Sequence, residues 1–448
     1  MSKSMNKSMS MNDMVLISVD DHITEPPDMF DKHLSAEDLA TAPKFCTDEK
    51  GKAYWSYQGM FMPSVGLNAV VGRPLEEYGM EPTSLEQMRK GVYDVHERIN
   101  DMNANGVAAS LNFGTCVGFD GGRFHKAPDK SLSLIHMRAY NDWHIDEWCG
   151  AYPGRFIPCG LLPTWDMDAT VEEIKRIAKK GCTAVSLNEN PTSQGLPSVH
   201  NAYWEPLWKA ITDHDMTMCL HIGAGNPVPH ASMETPIEAW ITTMPMSSAI
   251  GAADWLNLSA LERYPTMKIA LSECGLGWIP YFMERADFSH ARHKAWTHSG
   301  FQGKKPSDIF KKHFMVCFID DAYGLRNLDL MNQDLVAYEC DYPHSDTLWP
   351  EAPEHLWKTL THLSEEQIEK VTHRNAMKFF NFDPFAQHKR ADLTVGALRA
   401  KAAADGVDTT PQSFGGDKPL DDAEGVRRIT SGDLMKMFAH HATQKTGT

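Results

Sequence analysis

The sequence has no apolar run of eighteen residues, no Cys-x-x-Cys pair, no glycine-rich phosphate loop and no excess of basic residues. Without the apolar run, a membrane-spanning helix is excluded. Without the cysteine pair, a thiolate zinc site is excluded. Neither G-x-G-x-x-G nor G-x-x-x-x-G-K-[ST] follows an apolar strand-like segment, which argues against a nucleotide-binding fold. Lys and Arg number 43 against 59 Asp and Glu, a formal net charge of -16. A surface of that sign repels nucleic acid and anionic membranes, although a local site can still attract a small anionic substrate. Cysteine is scarce and odd in number, nine in all. Cys182, Cys219, Cys317 and Cys340 lie inside apolar runs, which fits buried reduced thiols, not a disulfide framework, and suggests the cytoplasm. The opening "MSKSMNKSMSMNDM" lacks the apolar stretch of a secretion signal, so residues 1–13 read as a disordered leader.

What is present is alternation. Hydrophobic residues make up 42% and charged residues 23% of 448 positions, enough to bury a large core. Eight short β-branched or apolar runs begin near residues 14, 106, 155, 182, 216, 267, 314 and 335. Segments of helical periodicity separate them, at 131–148, 168–180, 203–215, 248–264 and 278–296. Several runs are apolar at nearly every position, as in strands covered on both faces. Eight such strands alternating with helices predict an α/β fold, a (β/α)8 TIM barrel over 14–387, with an open doubly wound sheet as the alternative. Residues 31–94 read as a lid insertion after the first strand, with a hairpin at 45–62. Residues 388–448, poor in large apolar side chains, read as a C-terminal extension that wraps the body or joins a partner.

Polar residues of one kind fall at strand ends. The first strand stops at Asp20-Asp21-His22, the fifth at His221, the sixth at Glu273, the eighth at Asp341 with His344 just beyond. In a barrel the carboxyl ends of the strands form the reactive face. These residue types suit a hard or borderline divalent cation. Asp20 and His22, two apart on a strand, share one face. Asp21 points the other way and reads as a supporting residue. Glu25, Asn188, Trp278 and His344 are candidate pocket residues.

The segments "VDDHITEPPDMF", "CLHIG", "LSECGLGWIPYFMERAD", "ECDYPHSD" and "THRNAMKFF", in this order, resemble the amidohydrolase superfamily. Within it they resemble the amidohydrolase-related group that includes aminocarboxymuconate-semialdehyde decarboxylase. The resemblance implies a distorted barrel holding one or two divalent ions, zinc, iron or manganese. It matches the family's first-strand His-x-His with Asp20-x-His22, its fifth-strand His with His221 and its last Asp with Asp341. Glu273 replaces the sixth-strand His of the decarboxylases. The fourth-strand Lys of dinuclear hydrolases is absent, its place offering Asn188, Glu189 and Asn190. The expected ligands are therefore Asp20, His22, His221 and Asp341 with Glu273, and the expected acid/base residues are Asp341 and Glu273. The leading expectation is a hydrolase that uses metal-activated water on an amide, ester, thioester or lactone. Non-oxidative decarboxylation of an aromatic or unsaturated acid is the second, and a catalytically silent barrel the third. A small-molecule substrate and a homodimer complete the expectations.

Overall fold

A computed structural model describes residues 9–63, 65–226, 230–419 and 427–442. Twelve strands occur among them. Nine build the barrel wall, all with parallel pairing: β1 (Leu16–Ile23), β5 (Val107–Gly114), β6 (Phe156–Ile157), β7 (Cys159–Leu161), β8 (Ala184–Leu187), β9 (Thr217–His221), β10 (Lys268–Ser272), β11 (Phe314–Phe318) and β12 (Val336–Tyr338). The remaining three, β2 (Lys44–Thr47), β3 (Ala53–Tyr57) and β4 (Met60–Met62), form an antiparallel sheet between β1 and β5. Every expected barrel strand is present. The third is split, because Pro158 has no N–H to give to a ladder. Its first half pairs with β5 and its second with β8, so the wall consists of β1-β5-β6 and β7-β8-β9-β10-β11-β12.

The fold is a TIM barrel of mixed α/β class. Between β12 and β1 there is no ladder; Asp341 N–H donates to Asp20 O at 2.8 Å and His22 N–H to Tyr342 O at 2.6 Å. Those bonds join the two ends where the acidic residues lie. Ala109, Ala184, Cys219, Ala270, Cys317 and Ala337 share one buried cluster with Ile17, Val19 and Leu111. Phe379 and Phe380 of the "THRNAMKFF" segment belong to it too, and Thr217 Oγ1, at the start of β9, donates to Phe379 O at 2.9 Å. Helices cover the outside. In Met167–Lys179, Asp166 caps the first turn and Ala169, Ile174 and Ile177 are buried, the apolar stripe expected from helical spacing. The 131–148 segment forms an α-helix only over Lys130–Asp142 and continues as a π-helix over Trp143–Cys149.

The hairpin of β2 and β3 turns at Asp48–Lys52. Beyond it, Val70 and Val71 N–H donate to Pro343 O at 3.1 and 3.0 Å, which lays this segment against the loop after β12. Residues 1–8 of the expected leader lie outside the described residues. Residues 11–13 form a 3-10 turn, and Met14 O accepts from Val395 N–H of the C-terminal extension. All nine cysteines are free, and all but Cys46 are buried. Among the described residues no helix is long and apolar enough to cross a membrane.

Candidate metal centre

Four strand ends converge at one point. His22 Nε2 lies 3.3 Å from Asp20 Oδ1, 3.4 Å from Glu273 Oε1 and 3.3 Å from Asp341 Oδ1. His221 Nε2 lies 3.2 Å from His22 Nε2, 3.2 Å from Glu273 Oε1 and 3.6 Å from Asp20 Oδ2. His344 Nδ1 lies 2.9 Å from Asp341 Oδ1 and 3.8 Å from Glu273 Oε1. Two overlapping sets result, Asp20/His22/His221/Glu273 and His22/Glu273/Asp341/His344, which share His22 and Glu273.

The backbone places these groups at some cost. Glu273 and Asp341, each just past a strand end, hold φ +54°, a left-handed geometry that costs a residue with a Cβ roughly 1–2 kcal/mol. Glu273 N–H is held by Glu339 Oε2 at 3.0 Å. His221 Nδ1–H donates to Ile222 O at 2.7 Å, which turns its Nε2 toward the cluster. Burial drives the charges apart. Desolvation raises Asp20 to about 7 and Asp341 to about 6. Burial opposes charge on His221, but Glu273 and Asp20 outweigh it and hold the imidazole well above its ordinary value. For His344 the carboxylates of Asp341 and Glu273 likewise overcome burial, reaching about 10. Burial also raises Glu339 well above the usual carboxylate range, with Asp20 adding to the effect.

The donor set fits a divalent metal ion. Both oxygens of Asp20 are buried without a hydrogen-bond partner, an arrangement that is costly unless a cation compensates it. Donors bound about 2.1 Å from a common ion stand roughly 3.0–3.4 Å apart, and the measured separations fall near that range. Imidazole and carboxylate without thiolate select zinc, iron or manganese over soft ions.

The pocket candidates divide. His344 joins the cluster and stacks on His22, ring centroids 3.9 Å apart. Asn188 does not join it: its amide bridges Asp120 Oδ2 (2.7 Å) and Ala224 O (2.8 Å), tying three loops together. Trp278 donates to Cys274 O at 2.7 Å and packs on Phe282, bracing the turn after Glu273. Glu25 is fully buried, accepts Cys116 N–H at 2.8 Å and is not among the clustered donors. Three residues escaped the sequence reading. Phe119 lies 4.2 Å from His221 and 4.8 Å from His22, ring to ring. Glu339 was visible as an acid inside the apolar run "LVAYECD". Arg98, wholly buried, binds the backbone of β1.

Glu25 has a consequence for stability. Burial raises its carboxyl from 4.5 to about 7, so the folded state holds a proton that the unfolded chain has lost. That contribution is intact below pH 4.5 and disappears as pH rises to 7, a loss of roughly 3 kcal/mol by linkage. Glu25→Gln is expected to remove this fall, so wild type and variant diverge between pH 4.5 and 7 in urea titrations. Parallel curves would show Glu25 to be ionised and solvated.

The amidohydrolase family model matches residues 123–382, and the chain belongs to that family. The 2-amino-3-carboxymuconate-6-semialdehyde decarboxylase of Dictyostelium discoideum is 22% identical over 308 residues, covering 65% of this chain and 78% of its own. The gamma-resorcylate decarboxylase of Rhodococcus jostii (strain RHA1) is 23% identical over 273 residues, covering 57% and 79%. Among solved structures, an amidohydrolase from Mycobacterium avium subsp. paratuberculosis K-10 superposes with a TM-score of 0.64 at 16% identity, over 82% of this chain and 99% of that one. A dihydroxybenzoic acid decarboxylase from Polaromonas sp. JS666, with bound manganese and the inhibitor 2-nitroresorcinol, superposes with a TM-score of 0.56 at 18% identity, over 84% and 99%.

These relatives correct the leading expectation. The protein is an enzyme of the amidohydrolase superfamily, but both curated relatives are decarboxylases, so the expected hydrolysis of amide, ester, thioester or lactone does not stand. The motifs carry residue types suited to a metal ion, and those types do not by themselves distinguish the two reactions.

Proposed function

We propose that this protein is a metal-dependent, non-oxidative decarboxylase of a small aromatic or unsaturated carboxylic acid. The observation that carries the reading is the convergence of Asp20, His22, His221, Glu273 and Asp341 on one buried point, in a chain whose curated relatives remove carbon dioxide from acids of that kind. Asp20, His22, His221 and Asp341, with Glu273, would hold the ion. Bound there, a divalent cation would supply the positive charge that lets an anionic substrate approach three carboxylates and would draw electron density from the reacting carbon.

The chain's own residues do the rest. Asp341 delivers a proton to the carbon that carries the carboxylate. The new C–H bond takes its electron pair from the substrate's π system; the carbon–carboxylate bond then breaks, its electron pair restores that π system, and carbon dioxide departs. His344, 2.9 Å from Asp341, returns a proton to the spent carboxylate. Phe119 and Phe113, packed against His22 and His221, keep bulk water from the cluster.

The protein loaded with manganese and incubated with hydroxybenzoates and unsaturated acids is expected to release carbon dioxide in step with the decarboxylated product. His221→Ala is expected to lose bound metal and that activity together. A wild type without metal, or with metal but inert on every acid of the panel, would sink the reading. A homodimer fits the stripe of exposed apolar side chains Tyr281, Phe288 and Trp296 on the helix Ile279–Thr297. Light scattering at the monomer mass of 50.2 kDa would overturn that part. A cytoplasmic site is supported by eight buried free thiols.

A further inference from the structure

The C-terminal extension reaches the metal centre through one buried carboxylate. Glu81 and Asp417 exchange both backbone hydrogen bonds, each 3.0 Å long, as an isolated antiparallel bridge. Glu81 Oε2 accepts Asn68 N–H at 3.0 Å, and Asn68 Nδ2 donates to Ser345 Oγ at 3.0 Å. Ser345 follows His344, and Pro343 O receives Val70 and Val71. A continuous chain of hydrogen bonds and covalent links thus runs from Asp417 to the loop that carries Asp341 and His344.

The extension is fitted to this position. Gly416 holds φ +136°, and a Cβ there would stand 2.7 Å from Glu81 O, so only glycine allows the approach. The Asp417 carboxylate pairs with Lys52 of the turn between β2 and β3. Gln412 N–H donates to Gly72 O at 2.8 Å, and Arg89 to Asp408 O at 2.7 Å. The covering of the insertion is therefore sequence-specific over residues 408–417.

We propose that residues 408–417 act as a positioning brace for the metal centre: through Glu81 and Asn68 they hold the loop bearing Asp341 and His344 where the ion is bound. The inference rests on the reading of this cluster as a metal centre. Residues that orient metal ligands from outside the donor set change metal affinity by about 10–100-fold when altered. A brace of this kind should act on the rate at which the ion leaves, far below the unfolding temperature.

The test loads full-length protein with Mn2+, dilutes it into excess chelator, and follows the Mn2+ still bound to the protein by metal analysis after rapid desalting at successive times. Gly416→Val, which unseats Asp417 from Glu81, is expected to release the ion at least about 10-fold faster than wild type. Should that variant not fold, Asp417→Lys sets a like charge beside Lys52 and is expected to speed release. Adding Lys52→Asp restores the pair and should return the rate toward wild type, a rescue that general weakening of the fold would not produce. Wild type and folded variants releasing Mn2+ at one rate would overturn the brace. A wild type that binds no Mn2+ would overturn the metal centre itself, a distinguishable failure.

Discussion

Asp341→Asn is expected to lower the rate of decarboxylation about 1000-fold, within the range for loss of a positioned proton donor. The amide is nearly isosteric, so the backbone bond from Asp341 N–H to Asp20 O is unaffected and circular dichroism should match wild type. Asp341 lies 3.3 Å from His22 Nε2 and 2.9 Å from His344 Nδ1, so the substitution could act through metal loss as well as proton transfer. Two measurements separate these. Metal content per chain reports the first. The second is solvent exchange: in deuterium oxide, wild type should wash deuterium into the decarboxylated product at the carbon that bore the carboxylate, and Asp341→Asn should not. A variant that keeps its metal and exchanges at the wild-type rate would remove Asp341 from the proton-transfer role.

Arg98→Leu is expected to destabilise the fold by about 3–5 kcal/mol, the cost of stripping one partner from a buried charged network. The guanidinium is fully buried. It donates to Gly91 O at 2.6 Å and to His22 O, and lies 4.3 Å over the ring of Tyr342. It is also the favourable charge facing Asp21, which burial raises to about 7 and Arg98 draws back. Removing it leaves a carboxylate in a dry place and frees the strand end that presents His22. Urea titration should show the loss. In Arg98→Leu with Asp21→Asn, part of it should return, because the orphaned charge is gone. Strict additivity of the two substitutions would mean that Arg98 acts through packing and backbone bonds alone.

Much of the barrel was legible because its strands are buried on both faces. An apolar run such as "MTMCLHI" has few other places to go, and a ligand-type residue at its carboxyl end stands out. The break at Pro158 was missed, although a proline in a central strand, which cannot complete a ladder, was a signal for it. His344 was read as a substrate contact; its sequence position gives no clue that its ring stacks on His22. Glu25 was drawn toward the pocket by its nearness in sequence to His22, and Asn188 by its place at the end of the fourth strand. In space the first turns to Cys116 N–H and the second to Asp120.

The sequence by itself determined the order of the barrel strands, the family, and the residue types at the strand ends, because periodicity and residue chemistry are local properties. Only the tertiary structure decided that Glu273 reaches His22 and His221 at once, that Glu339 anchors it, and that Arg98 stands behind Asp21. Each depends on side chains from elements far apart along the chain meeting at a distance of a few ångströms. Such distances are set by strand tilt, left-handed turns at Glu273 and Asp341, and loop packing, none of which leaves a periodic trace in the sequence.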